Sequence, residues 1–225
     1  MKVLLLGATG LIGRHCLSDL LATSQVSEVI APTRRSLQMK DQALHNVLVD
    51  FDRLDEYPEL FEVDAILCCL GTTIKQAGSR ERFKLVDYQY CMDAAELGRA
   101  HSAKSFSLVS AIGASARSLV FYSRVKGQLE DHLKELEYPS LSIFRPSLLL
   151  GDRQEARLGE AAASLVAPLF NPLLVGSLSA YKAIEANVVA KAMVNDCLAS
   201  ATIKPGSKPK VMVYSHDKIV KLASD

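Results

Sequence analysis

Nowhere does this 225-residue chain hold an unbroken apolar run of the ~18 residues that a membrane-crossing helix needs, because Arg14 and Asp19 interrupt the opening hydrophobic stretch. A membrane partner is therefore not expected, and the chain reads as soluble. An excess of one charge is also missing. With 26 Lys and Arg against 25 Asp and Glu, the net charge of +1 gives no electrostatic reason to expect nucleic acid as a partner. The five cysteines, Cys16, Cys68, Cys69, Cys91 and Cys197, form an odd set without Cys-x-x-Cys or His-linked spacing. Neither a disulfide framework nor a zinc site is indicated, and the histidines are scattered without metal-ligand spacing. The cysteines read as reduced, mostly buried thiols of a cytoplasmic protein. Internal repeats, low-complexity tracts and linkers are absent before residue 151. Hydrophobic residues make up 49%, which is enough for one well-buried domain, and the length is short for two independent cores.

What is present begins with MKVLLLGATGLIGRHCLSDLL. A signal peptide also starts with a lysine and an apolar run. Here, however, residues 2–6 read as a short buried strand, residues 7–13 as a turn, and Leu11, Cys16, Leu17, Leu20 and Leu21 recur at helical spacing. Strand, glycine turn and helix in succession are the context of a nucleotide site. Gly7 permits the tight turn, Gly10 lets the backbone approach a pyrophosphate, and Gly13 lets helix and strand pack closely, with helix-terminal N–H groups facing the anion. The spacing is GxxGxxG rather than GxGxxG, and a purely structural turn would use the same residues. A second strand at residues 26–31 leads to Thr33, Arg34 and Arg35. They lie about 20 residues beyond the glycines, where an acidic side chain would hold the ribose of NAD and an arginine accommodates the 2′-phosphate of NADP. Two arginines favour NADP(H), the alternative being two solvated surface charges.

The same rhythm continues. A strand at residues 47–49 ends at Asp50 and Phe51, a pair placed to meet an adenine edge. Residues 65–70, AILCCL, suit a central parallel strand buried on both faces, with Cys68 and Cys69 as small apolar fillers and Gly71, Thr72 and Thr73 following. A helical pattern runs through Phe83, Val86, Tyr90, Ala94 and Leu97. Then come a strand at 105–110, a helix at 121–136 and LSIFRPSLLLG at 141–151. The expected fold class is α/β, a Rossmann-type doubly wound parallel sheet with helices on both faces. Beyond it, residues 158–172 and 186–199 read as helices, residues 173–177 as a turn toward the site, and 210–214 as a final strand with a short helix after it. The expected organisation is one domain, residues 1–225, with 151–200 contributing a small C-terminal substrate cap. Arg153, Arg157 and Lys182 would frame its pocket and select an anionic substrate, unless they are ordinary solvated charges.

Ligands of such sheets bind beyond the carboxyl ends of the strands. Ser110 ends the fifth strand, and Tyr122-Ser-Arg-Val-Lys126 places a tyrosine and a lysine one turn apart on one helical face. A tyrosine hydroxyl ordinarily titrates near ~10. It becomes a competent acid at neutral pH when a neighbouring cation stabilises the phenolate, which Lys126 is placed to do, while Ser110 could orient the same carbonyl oxygen.

GATGLIG, the arginines after the second strand, the Ser110, Tyr122 and Lys126 set, and RPSLLLG together resemble the short-chain dehydrogenase/reductase superfamily. The likeness is to its atypical or extended branch, and within that to the small HTATIP2-like NAD(P)-binding members. It implies that Gly7, Thr9, Gly10, Leu11 and Ile12 hold the pyrophosphate, Arg34 and Arg35 the 2′-phosphate, and Asp50 and Phe51 the adenine. Leu70, Gly71 and Thr72 would line the ribose, and Pro146, Ser147 and Leu148 would flank the nicotinamide. Tyr122 and Lys126 would touch the cofactor as well as act in catalysis, with Lys126 on the nicotinamide ribose. One departure is Asp87 in VDYQY, where relatives often carry asparagine. The implied activity is an NADP-dependent oxidoreductase passing hydride between nicotinamide and a small carbonyl or alcohol substrate. Two other readings stay open: an NADP(H)-binding regulatory or redox-sensing protein without turnover, and a sugar-nucleotide epimerase or dehydratase. Homo-oligomerisation is also left open.

Overall fold

Val3, Leu4, Leu5 and Leu6 are fully buried in β1 (Lys2–Leu6), the burial of a strand covered on both faces. The computed structural model describes residues 1–151, 181–204 and 206–224. The strands that follow are β2 (Glu28–Thr33), β3 (Leu44–Leu48), β4 (Ala65–Cys68), β5 (Ser105–Val109), β6 (Ser140–Phe144), β7 (Leu149–Leu150), β8 (Ile184–Glu185) and β9 (Lys210–Tyr214). Seven of them form one sheet in the order β3-β2-β1-β4-β5-β6-β9. Every neighbouring pair in it is parallel. β7 and β8 form a separate two-stranded ribbon. This is the Rossmann-type doubly wound sheet, and its order reverses between β1 and β4.

Helix α1 (Leu11–Leu21) returns across one face, where it is joined by α6 (Ala186–Ser200) and α7 (His216–Ser224). Their apolar sides meet Val3, Leu5, Val29 and Leu67 from the sheet. The other face carries two 3-10 turns (Phe51–Glu56 and Pro58–Phe61), α4 (Tyr90–Ala100) and α5 (Phe121–Glu135), which pack on Leu4, Leu6, Ile66, Phe106 and Ile143. Between β4 and α4 the chain makes two short helices, α2 (Ile74–Ala77) and α3 (Arg80–Lys84), and a π-helical turn at Leu85–Gln89.

Several expected boundaries shift for physical reasons. β2 runs two residues later than expected, through Pro32 and Thr33, because pairing to β1 ends at Ile30 while pairing to β3 continues to Thr33. The missing N–H of Pro32 therefore costs no bond to β1. β3 starts at Leu44 rather than 47, since an edge strand with half-exposed side chains shows no clean alternation. β4 ends at Cys68, and the single helix expected from Phe83 to Leu97 is interrupted by the π turn. The largest correction concerns α6. Ala186, Val189, Ala190, Ala192, Met193, Val194 and Cys197 are buried in it, so this part of the 151–200 segment closes the second face of the sheet. The helix expected at 158–172, the turn at 173–177, Arg153 and Arg157 lie outside the described residues.

The start of α1 sits on the turn before it. Gly7 has φ +80°, and a side chain there would meet the Cys69 carbonyl oxygen at 2.6 Å. A Cβ at Gly13 would lie 2.0 Å from the Gly7 carbonyl oxygen, whereas one at Gly10 would lie 3.2 Å from it. Only backbone can yield at Gly13. Gly13→Ala is expected to cost at least about 3 kcal/mol in urea unfolding or to prevent folding, and Gly10→Ala less than about 1 kcal/mol. Equal losses in the two variants would show that the turn relaxes freely.

Candidate active site at the carboxyl ends of the strands

Beyond Leu6 and Cys68 the chain leaves β1 and β4 in opposite directions, which opens a crevice above the sheet. Gly10 enters α1 in an extended conformation (φ −76°, ψ 171°) with no side-chain cap. The first-turn N–H groups are thus left for an anion, and the helix dipole favours negative charge there. Thr9 is exposed at this mouth, Leu11 is half-buried, and Ile12 is buried with its side chain in the core. Residues and conformation fit a dinucleotide pyrophosphate.

At the end of β2, Arg34 and Arg35 are exposed. Their turn is held from beneath by Asn46, whose amide donates to the Ala31 carbonyl at 2.7 Å and to Thr33 Oγ1 at 2.8 Å. Its carbonyl oxygen accepts the Leu37 N–H at 2.9 Å, and the Thr33 hydroxyl donates to the Arg35 carbonyl at 2.8 Å. Sequence reasoning missed Asn46, which shows only as a lone amide within LHNVL. Asp50 is exposed and accepts the Asp52 N–H at 3.0 Å. Phe51 corrects an expectation, because its ring is buried against Tyr90 at 5.6 Å between centroids and belongs to the core. The Tyr90 phenol donates to Asp52; burial and that carboxylate push it up to about 12.

The opposite wall is built on buried charge. Lys126 in α5 and Asp87 in the π turn are 3% and 1% exposed, and Lys126 Nζ lies 2.9 Å from Asp87 Oδ1. The other carboxylate oxygen accepts the Thr72 N–H at 2.7 Å, which fixes the Leu70, Gly71 and Thr72 segment to the same carboxylate. Burial pushes the lysine pKa down, but the Asp87 charge, helped by Tyr122 and Cys91, raises it above the ordinary lysine value. A readable signal existed, for Phe83, Asp87 and Cys91 are spaced four apart and all three are buried.

One turn before Lys126, Tyr122 is 37% exposed, with its ring 5.7 Å from that of buried Phe83. Phe121 lies against the same ring, and the Arg80 guanidinium stands 5.2 Å over Phe121. Ser110, 4% exposed, is not a free hydroxyl: it donates to Glu130. Glu130 is also gripped by Arg145, with Nε 3.0 Å from Oε1 and a second contact to Oε2. That commitment corrects the expected donation from Ser110 to a substrate oxygen, leaving only its lone pairs to offer. Glu130 and Arg145 were both missed, although Glu130 falls one turn after Lys126 and Arg145 opens RPSLLLG. Within that segment the Pro146 carbonyl accepts the Ile112 N–H at 2.9 Å. Ser147 donates its hydroxyl to the Lys182 carbonyl, and the Leu148 carbonyl accepts the Ile184 N–H at 2.9 Å. The segment expected beside the nicotinamide is thus fixed between the loop after Ser110 and β8.

The sequence model of the HIM1 family matches residues 32–181. The chain belongs to the HIM1 family. Rat HTATIP2 is 39% identical over 210 residues, covering 92% of this chain and 83% of that protein. The protein FMP52 of Candida albicans is 30% identical over 230 residues, covering 100% and 99%. Among solved structures, MoeE5 in complex with UDP-glucose and NAD superposes with a TM-score of 0.69 at 14% identity, covering 100% of this chain and 81% of that one. A UDP-glucose 4-epimerase of Thermotoga maritima gives 0.68 at 15%, covering 100% and 82%. These distant likenesses carry the fold alone, a Rossmann-type parallel sheet shared with a protein solved in complex with NAD. The cytoplasmic placement is overturned. Fungal relatives aligned over 97–100% of this chain are named mitochondrial proteins, and unpaired thiols do not separate one reducing compartment from another.

Replacing Glu130 by Gln should lower stability by roughly 3 kcal/mol, the lower end for breaking a buried pair, because Arg145 still meets water. Removing the exposed Arg53–Glu56 pair should cost less than about 1 kcal/mol. Chemical denaturation of both variants checks the contrast.

Proposed function

We propose that this HIM1-family chain is an NADP(H)-dependent oxidoreductase acting on a small carbonyl or alcohol substrate. The observation that carries the reading is Tyr122, whose phenol is open to solvent one helical turn from the charged, buried Lys126. The uncapped start of α1 would hold the pyrophosphate, Arg34 and Arg35 the 2′-phosphate, Asp50 the adenosine side, and Lys126 with the Leu70, Gly71 and Thr72 segment the ribose nearest the reacting centre. When bound, the cofactor supplies or accepts the hydride at nicotinamide C4. The chain's own part is proton handling and positioning. Tyr122 donates its hydroxyl proton to the substrate oxygen in the reductive direction and takes it back in the oxidative one. Lys126 holds positive charge beside the phenol, and Ser110, anchored on Glu130, shapes the floor beneath the oxygen and can accept a hydrogen bond from the hydroxyl of an alcohol substrate.

Cofactor choice tests one half. The native protein should bind NADPH at least about tenfold more tightly than NADH, a difference of about 1.4 kcal/mol. Arg34→Ala with Arg35→Ala should erase the preference while leaving NADH affinity nearly unchanged, as measured by reduced-nucleotide fluorescence. Equal affinities in the native protein would overturn the assignment of the arginines.

Tyr122→Phe tests the other half. It keeps the ring against Phe83 and removes the proton donor, so turnover should fall at least about 100-fold while NADPH affinity changes little. The assay is NADPH oxidation by native and variant proteins side by side on aldehydes, ketones, quinones and nucleotide sugars. Activity undiminished in the variant would rule out Tyr122 as the donor.

A further inference from the structure

Lys126 is sealed in the protein with its ammonium against a single carboxylate, and that carboxylate also holds the backbone of the segment assigned to the ribose. We propose that Asp87 is the positioning residue of this site: it keeps the Lys126 ammonium charged and in place and docks it to the Gly71–Thr72 backbone, so that nucleotide affinity at alkaline pH depends on Asp87. The inference deepens the oxidoreductase reading and rests on its nucleotide site.

Three observations support it. The π turn at Leu85–Gln89 departs from regular helix at Asp87, and such turns recur where a side chain must be re-aimed. Asp87 spends both carboxylate oxygens inside the site, one on Lys126 Nζ at 2.9 Å and the other on the Thr72 N–H at 2.7 Å. A Cβ on Gly71 would come within 3.4 Å of Asp87 Oδ1, so the carboxylate occupies the space that a side chain at that position would enter.

Among the described residues, the titratable groups that act on Lys126 come from its own helix and from three other elements. They are Asp87 from the π turn, Tyr122 from its own helix, Cys91 from α4 and Cys68 from β4. Among them Asp87 contributes the largest charge effect and also a hydrogen bond, so without it only Tyr122 and Cys91 remain to oppose the burial of the ammonium. The sign of the effect follows. In the native protein the raised lysine pKa makes the pair's contribution to stability fully present below the unfolded lysine value of ~10.4, and it is lost only as pH rises through the still higher folded value. In Asp87→Asn the folded lysine pKa should fall below the unfolded one. The variant's stability deficit should then shrink as pH rises from about 7 to about 10, where the folded state has shed the proton that the unfolded state keeps.

The experiment measures NADPH affinity by fluorescence, and urea stability of the nucleotide-free chain, from about pH 7 to about pH 10. Native protein should hold NADPH with less than about twofold change, because the 2′-phosphate is already ionised above its second pKa of ~6. Asp87→Asn should weaken at least about tenfold across the range as Lys126 loses its charge, and Asp87→Glu should restore much of the flat profile. A double variant, Asp87→Asn with Lys126→Met, buries no lone charge. It should fold, bind NADPH weakly and show no alkaline limb. If the single variant is too unstable to isolate while the double variant folds, the dependence of the buried ammonium on Asp87 is supported directly. A flat affinity profile in folded Asp87→Asn overturns the proposal, as does native affinity in the double variant. Should no form bind NADPH, the oxidoreductase reading fails, and the pH slope of stability alone decides whether Asp87 keeps Lys126 charged.

Discussion

The approach of α1 to the Gly7 carbonyl sets the terms for the rest of the molecule. With room for no side chain at Gly13 and none at Gly7 facing Cys69, the helix must begin directly over the junction of β1 and β4. Those are the strands from which the chain departs to opposite sides, so the contact aims a helix N-terminus into the crevice that the topology opens. A looser turn would let α1 slide along the sheet and move its N–H groups away from the place where the other strands deliver Thr72, Ser110 and Pro146.

Against that backbone wall stands one made of ionised side chains. Lys126, Asp87 and Glu130 are all nearly excluded from water, a placement that is unfavourable unless each charge is paired and hydrogen-bonded. Each one is: the lysine on Asp87, the aspartate on lysine and a backbone amide, the glutamate on Arg145 and Ser110. The close packing of Gly127 against the Ser115 backbone holds α5 on the loop that follows Ser110. Dipoles and charges are therefore fixed before any ligand arrives, and a site of this kind avoids reorganising during a reaction.

How much of this could be read from residues alone depended on whether the signal was local. The first strand, turn and helix were legible because glycine spacing and apolar periodicity agree over twenty-one consecutive residues. The Tyr122 and Lys126 pair was legible because both lie on one helix at one-turn spacing. Phe51 was misread because an aromatic at a strand end serves a core as readily as a ligand. Ser110 was misread for a different reason: its partner lies twenty residues away on a helix, and that partner's counterion, Arg145, sits just past the end of β6. Asp87 was noticed as a departure from a pattern, but its use required knowing that a π turn faces it toward α5. Asn46 and α6 were obscured by tertiary context, the first because its partners belong to a neighbouring strand and the second because an apolar stripe does not announce which surface it will cover.

Asn46 carries a consequence for how such a protein can change. It fastens the β2 turn through main-chain groups of Ala31 and Leu37 and through the Thr33 hydroxyl, so its amide is committed to those partners rather than to the Arg34 or Arg35 guanidinium. The scaffold of that turn is therefore indifferent to what the two exposed positions carry. Under the proposed function, those two residues could be exchanged, and the nucleotide preference with them, without disturbing the fold.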